Sequence, residues 1–148
     1  MKTYSVFEVA DWFLTKSSMT PKKLQKLTYY AEAWSQALMK QSLMSNTAFE
    51  AWAHGPVSPE LWQEYHSYGW TEIPKKKKSI IDDPQAKDLL ESVWVTYGKK
   101  SANELEALTH QELPWKNARI GLDDGMPSNT KISPKDMANY YLSIYNGD

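Results

Sequence analysis

The sequence predicts a mainly α-helical fold: a single compact domain of about six helices with at most a short β-hairpin element. Its 148 residues suit one hydrophobic core, and neither a repeat nor a low-complexity linker divides residues 1–148 into two domains. A helix-start signal recurs along the chain, with a Ser, Thr or Asp before a proline or at the head of a capping box. The segments after these signals carry apolar residues at the helical period.

The helix starts have two forms. In the first, a polar side chain caps the helix and proline takes the first helical position, where its missing N–H is not needed. These starts are Thr20-Pro21, Ser58-Pro59, Asp83-Pro84 and Ser133-Pro134. The second form is the capping box, predicted at Ser5…Glu8 and Ser101…Glu104. We expect the third helix to stop at Gly69, the fourth by Gly98 and the sixth at Asn146-Gly147.

Apolar stripes give the expected core. The second helix has the clearest period, with Leu24, Leu27, Ala31, Trp34 and Leu38 on one face. The inward residues of the other helices are predicted to be Val6, Val9, Ala10, Phe13 and Leu14; then Ala86, Leu89, Leu90, Val93, Trp94 and Tyr97; then Leu105 and Leu108; and last Met137, Tyr140, Tyr141 and Ile144.

Three stretches lack the helical period. Residues 49–52 alternate in polarity and predict a short strand that leads into a turn at Gly55-Pro56. Residues 70–81 surround a lysine run, and Ile80-Ile81 predicts a second small hairpin there. Residues 123–130 are polar, so we expect a mobile loop.

The sequence favours a cytoplasmic protein. It has no cysteine, which excludes disulfides and cysteine-ligated metals. The first segment has no apolar run, because Glu8 and Asp11 interrupt it, and this argues against a secretory signal. No stretch approaches the roughly 18 apolar residues of a membrane span, so no membrane partner is predicted.

The residues offer little enzyme chemistry. His54, His66 and His110 lack any metal-ligand spacing, and no nucleophile elbow or phosphate-binding glycine loop is present. His110 and Glu112 are two residues apart and would not share a helix face. We therefore predict no catalytic residue, no cofactor and no metal. A hydrolase with an unrecognised site remains an alternative, and it requires a pocket with His54 or His110 beside a carboxylate.

Nucleic-acid binding is the second alternative. It rests on Lys22, Lys23 and Lys26 at the start of the second helix and on the lysine run 75–78. We interpret both clusters as solvated faces, because the net charge is −1 and no recognition-helix motif is present.

Tryptophan supports protein binding better. Trp34 and Trp94 lie on apolar stripes and are predicted to be core residues. The others near helix ends and loops are Trp52, Trp62, Trp70 and Trp115, and Trp52 is interpreted as a lid over the core. Rings that remain partly exposed would be anchors for a protein partner, since Trp is enriched at interface hot spots.

Four segments carry a resemblance to a known family. They are residues 19–38, with KLQKLTYYA; residues 49–65, with EAWAHGPVSPEL; residues 91–119, with LTHQELPWKNAR; and the terminal ISPKDMANYY of residues 132–141. Together they resemble the Panacea domain, the SocA-like antitoxin family of bacteria and prophages. The family fold implied is mainly helical with a minor strand element.

The resemblance implies an antitoxin that binds and neutralises a cognate toxin protein encoded nearby. In the type case the antitoxin is an adaptor that delivers its toxin to the ClpXP protease, so a ClpXP-type protease is a further implied partner. The identity of the toxin is not implied. Partner-binding candidates are the polar residues without an assigned structural role and the loop tryptophans, namely Gln25, Lys26, Trp52, His54, Trp70, His110 and Trp115.

Overall fold

The computed structural model describes residues 1–147. This part of the chain forms seven α-helices and one two-stranded antiparallel sheet: α1 (Val6–Leu14), α2 (Pro21–Leu38), β1 (Glu50–Trp52), β2 (Gly55–Val57), α3 (Pro59–Tyr65), α4 (Pro84–Tyr97), α5 (Ala102–His110), α6 (Leu113–Ala118) and α7 (Pro134–Tyr145). The prediction of a mainly α-helical fold with a short β-hairpin is confirmed. The seventh helix, beyond the six predicted, is α6.

Each predicted start signal caps a helix. The side chains of Thr20, Ser58, Asp83 and Ser133 each accept from the backbone N–H of the residue three positions later, in the helix that follows. Ser5 and Ser101 form complete capping boxes with Glu8 and Glu104. The predicted helix ends are also close: α3 passes into a single 3₁₀ turn (His66–Tyr68) before Gly69, and α4 ends at Tyr97, just before Gly98.

Helix α2 is the centre of the molecule. It contacts α1, α3, α4, α5, α7 and β2, and its most extensive contact is with α7. The predicted stripe Leu24, Leu27 and Ala31 is buried, but Leu38 at the end of the helix is 39% exposed. The other faces of α2 are buried as well, because neighbouring elements surround it. Polar residues such as Glu32 are therefore also buried, and its carboxylate accepts from the backbone N–H groups of Leu43 and Met44 at 3.0 Å.

The remaining core follows the predicted stripes with few exceptions. Helix α1 buries all five predicted residues. Trp34, Trp94, Leu108 and Tyr140 are only half-buried and pack against the edge of the core. Ile144, predicted to face inward, is 44% exposed near the end of α7.

A carboxylate with tyrosine partners lies inside this core. Glu112 is buried, and its Oε1 accepts from the hydroxyls of Tyr30 and Tyr141, each at 2.8 Å. Tyr29 and Tyr141 share a further hydroxyl–hydroxyl hydrogen bond of 3.1 Å. Burial raises the pKa of Glu112 to about 7, although the two tyrosine hydrogen bonds act in the opposite direction.

The predicted strand at residues 49–52 is present as β1, and it pairs with β2 in the register Glu50–Val57, Ala51–Pro56 and Trp52–Gly55. Gly55 and Pro56 therefore lie in β2, which corrects their prediction as the turn; the turn consists of Ala53 and His54.

The second predicted hairpin is wrong. Within residues 70–81, Ile73 instead forms a bridge with Met19, through hydrogen bonds of 2.7 and 3.3 Å. Ile81 packs into the core, whereas the neighbouring Ile80 is 67% exposed.

The polar loop at residues 123–130 is attached at both ends. The guanidinium of Arg119 donates to the carbonyls of Asp123, Asp124 and Met126. At the other end the Ala51 N–H donates to the Thr130 carbonyl at 2.8 Å, which aligns this segment with β1. Among residues 1–147, no helix is both long and apolar enough to cross a bilayer.

Candidate protein-binding groove

A groove with a cavity volume of about 350 Å³ lies between the start of α2, the hairpin and α3. Aromatic rings of the hairpin, of α3 and of the turn after α3 line it, together with aliphatic side chains. We call it the aromatic groove and define it by Trp52, Val57, Leu61, Trp62, His66 and Trp70. Its lining is mainly apolar, with polar groups concentrated at the α2 end, as is usual for binding sites.

Three rings of the groove form a row, Trp52, Trp62 and His66, and Trp70 also lines the groove. Trp52 and Trp62 have ring centroids 5.8 Å apart, and Trp62 stacks on His66 at 4.2 Å with an interplanar angle of 12°. Trp62 is 39% exposed and Trp70 is 82% exposed. Trp52 is half-buried, and its Nε1 donates to Glu50 at 2.8 Å. Large rings held open to solvent beside a concave surface are typical interface anchors.

The inner end of the groove is basic. Lys22, at the start of α2, forms an ion pair with Glu106 of α5, and His54 Nδ1 lies 3.4 Å from the same carboxylate oxygen. Lys26 is 1% exposed, and its Nζ donates to the Pro56 carbonyl at 3.1 Å. Burial lowers the pKa of Lys26 to about 7, with Lys22 acting in the same direction and Glu106 against it. Burial opposes the ionisation of Glu106, yet Lys22 and His54 still lower its pKa.

A second concavity of about 520 Å³ adjoins the aromatic groove at the hairpin. It shares Trp52, His54 and Val57 with the aromatic groove and adds Pro127 and Asn129 of the polar loop. Trp52, His54 and Val57 of the hairpin therefore border both concavities.

Gln25 and Lys26 differ from their prediction as polar residues without a structural role. Both are buried, at 4% and 1% exposure. Gln25 makes two hydrogen bonds to the backbone of Ser58, and Lys26 makes its bond to Pro56. These contacts fix the hairpin and the start of α3 against α2, so both residues support the groove from below.

Trp115 and His110 lie behind the hairpin. Trp115, a predicted partner-binding candidate, is 2% exposed, and its Nε1 donates to the Trp52 carbonyl at 2.9 Å. His110 stacks on one face of Trp115 at 3.9 Å, and Arg119 lies 5.0 Å from its ring centroid. Burial lowers the pKa of His110.

Of the seven predicted residues, the structure brings Gln25, Lys26, Trp52, His54 and Trp70 together around one groove. Trp62 and His66 were not among the predicted partner-binding residues. Their signal is the four-residue spacing, which places both rings on one side of α3 and the turn after it. The spacing alone does not predict a site, because it does not show that this side of α3 borders a groove.

The requirement of the hydrolase alternative is met only in part. His54 lies beside the carboxylate of Glu106, but Lys22 already pairs with that carboxylate. The lining of the groove contains no serine, threonine or cysteine that the pair would activate. Within residues 1–147, no group of three or more His, Asp or Glu side chains is placed to hold a metal ion.

The lysines at the start of α2 have partners within the molecule. Lys22 pairs with Glu106, Lys23 donates to the Gly98 carbonyl at 2.6 Å, and Lys26 is buried. In the second cluster, Lys76 pairs with Asp11 at 2.6 Å. Lys75, Lys77 and Lys78 of the second cluster are exposed.

The chain belongs to the family described as "Antitoxin SocA-like, Panacea domain", whose model matches residues 24–116. The match begins in α2, includes the hairpin and α3, and ends after Trp115, so it contains most of the aromatic groove.

Among curated proteins, the chain is similar to Antitoxin SocA of Caulobacter vibrioides (strain NA1000 / CB15N). The two are 32% identical over 105 residues, which cover 62% of this chain and 55% of the relative. The chain thus spans about half the length of that relative. No solved structure matches the chain with significance.

Proposed function

We propose that this protein is an antitoxin of a toxin–antitoxin module, and that it binds and neutralises a cognate toxin protein through the aromatic groove. The observation that carries the proposal is that the row Trp52, Trp62 and His66 and the 82%-exposed Trp70 line one concave, mainly apolar surface. Family membership supports the antitoxin role, and the groove supports protein binding as the way in which the antitoxin acts.

The aromatic groove offers more contiguous apolar area than isolated exposed side chains do. Val95 and Ile120 are also exposed, at 78% and 81%, but neither borders either concavity beside the hairpin. Isolated apolar side chains are common on protein surfaces, whereas adjacent tryptophans around a groove offer a large desolvated contact area. We expect a toxin interface that buries roughly 800 Å² on each partner and centres on Trp62 and Trp70.

The first experiment is co-expression with the product of the neighbouring gene, scored by growth and by co-purification. The neighbour alone should stop growth, and this protein should restore growth and co-purify with it. A harmless neighbour, or a toxic one that this protein neither binds nor relieves, would show that the proposal is wrong.

Groove variants test the surface. Trp62→Ala with Trp70→Ala should abolish rescue and co-purification, while the protein keeps its helical circular-dichroism spectrum. The matched control is Val95→Ala with Ile120→Ala, which removes exposed apolar side chains elsewhere and should rescue like the wild type. Equal rescue by both double variants would exclude the groove as the binding surface.

Neutralisation includes a second proposed step, delivery of the bound toxin to a ClpXP-type protease in the cytoplasm. Measuring the half-life of the toxin in cells distinguishes delivery to the protease from binding alone. Delivery predicts a toxin half-life that shortens when this protein is co-expressed and that recovers in cells without the ClpXP protease. Rescue that persists unchanged in those cells would mean that occlusion alone is sufficient.

A further inference from the structure

The aromatic groove has an unequal charge distribution at its inner end. The lysine and histidine residues that line it are Lys22, Lys26, His54 and His66, and the lining contains no Asp or Glu. The carboxylate of Glu106 contacts this end and is shared by Lys22 and His54. The first turn of the 18-residue helix α2 also borders the groove and adds positive partial charge.

Lys26 is the residue whose charge lacks a direct partner. Its ammonium is buried, and its hydrogen bond goes to a neutral carbonyl, that of Pro56. The cluster therefore holds two lysines and a histidine around a single carboxylate. A buried cation with incomplete compensation is costly to the folded state and is relieved by a second carboxylate nearby.

From this arrangement we propose that the aromatic groove accepts a segment of the partner protein with a carboxylate side chain beside a large apolar one. The carboxylate binds at the inner end among Lys22, Lys26 and His54, and the apolar side chain packs against Trp62 and Trp70. The inference deepens the proposed function and rests on it, because it states the chemistry by which the same groove selects its partner.

Binding should change the protonation of Lys26. Because burial lowers the pKa of Lys26 to about 7, the free protein holds this side chain only partly protonated at neutral pH. The ionisable groups around it are Lys22 on the same helix, His54 in the hairpin turn, and Glu106 and His110 on α5. A carboxylate placed beside this cluster favours the ammonium form, so the complex takes up a fraction of a proton as it forms.

The test uses the full chain and a random peptide library displayed on phage. The enriched peptides should share an Asp or Glu next to Trp, Phe or Leu. Replacing that acid by its amide should weaken the affinity of the synthetic peptide at least about tenfold. Enrichment of peptides without an acid, or no enrichment at all, would overturn the proposal.

A double-mutant cycle separates binding from support of the fold. With Lys26→Met, the preference for the acid peptide over the amide peptide should shrink severalfold, because one of the groups that bind the carboxylate is absent while Lys22 and His54 remain. An unchanged acid-to-amide ratio in this variant would contradict the assigned contact. If Lys26→Met does not fold, Lys22→Gln serves in the same cycle, since Lys22 is at the edge of the cluster with a side chain 16% exposed.

Proton uptake provides a readout that a merely structural lysine would not give. Titration calorimetry of the acid peptide at pH 7, in buffers of different ionisation enthalpy, should report uptake by the wild type and markedly less by Lys26→Met. Equal uptake by both proteins would contradict the proposal. The proposed function fails separately: if Lys26→Met rescues growth as the wild type does, the antitoxin role stands and only the carboxylate contact is excluded.

Discussion

Gln25 and Ser58 are joined by two hydrogen bonds that run in opposite directions. Gln25 Nε2 donates to the Ser58 carbonyl at 2.9 Å, and the Ser58 N–H donates to Gln25 Oε1 at 2.8 Å. Both residues are buried, so neither backbone group has water as an alternative. A side-chain amide supplies the donor and the acceptor together. This pair attaches the start of α3, and with it the wall of the aromatic groove, to the central helix.

The first prediction concerns this amide. Gln25→Glu keeps the acceptor for the Ser58 N–H but removes the donor, and it places a buried, charged carboxylate oxygen against the Ser58 carbonyl. The free energy of unfolding in urea should fall by about 2–4 kcal/mol. Gln63→Glu is the matched control, because Gln63 is exposed on α3 and should tolerate the same chemical change. Equal stability of the two variants would show that the amide pair is not important.

A second prediction follows from the close approach of the hairpin to Lys26. Gly55 has φ +111°, and a Cβ at this position would lie 2.6 Å from Lys26 Cε. Gly55→Ala is therefore opposed by both backbone strain and a clash, and should lower the free energy of unfolding by at least about 2 kcal/mol. Gly125→Ala provides the control, since no atom lies within 4 Å of its added Cβ. Similar denaturant midpoints for both variants would contradict this account.

Local sequence signals predicted the elements better than their arrangement. The caps of six helices were readable because a capping side chain and its N–H are only a few residues apart. Helix α6 was missed because its N-cap, Glu112, makes no side-chain capping bond. That carboxylate instead accepts from Tyr30 and Tyr141, which are distant in sequence. No local pattern reports a contact of that range.

The same distinction explains the site. Trp70 could be predicted as an exposed ring, because it does not lie on the apolar stripe of any predicted helix. The roles of Gln25 and Lys26 depend on Ser58 and Pro56, which are about 30 residues away in the chain. The burial of Trp115 likewise depends on the Trp52 carbonyl, a contact between α6 and the hairpin. Helix packing determined these outcomes, and periodicity does not reveal it.

The third prediction is a pH dependence of stability that originates at Glu112. Its pKa in the folded protein is raised to about 7 from the ordinary 4.5, mainly by burial, so the folded state favours the protonated acid. The stabilisation from this group is therefore fully present below pH 4.5 and is lost as the pH rises to about 7. The loss should be on the order of 3 kcal/mol.

Glu112→Gln isolates that contribution, because the amide oxygen still accepts from Tyr30 and Tyr141 and does not ionise. The variant should match the wild type near pH 4 and be more stable at pH 7.5, as measured by urea denaturation across this range. A constant difference between the two proteins at every pH would show that Glu112 does not titrate in this window.

The last prediction contrasts two tryptophans that the sequence placed in the same class. Trp115→Ala removes a ring packed between His110 and Arg119, together with a hydrogen bond to the Trp52 carbonyl. It should cost about 3–5 kcal/mol of unfolding free energy, since a large buried side chain leaves a cavity. Trp70→Ala removes a ring that is 82% exposed and should change stability by less than about 0.5 kcal/mol. Toxin affinity should fall strongly in Trp70→Ala, a protein with unchanged stability, because exposed anchors contribute to binding and little to folding. A Trp70→Ala protein that unfolds as readily as Trp115→Ala would overturn this division between a structural and a binding tryptophan.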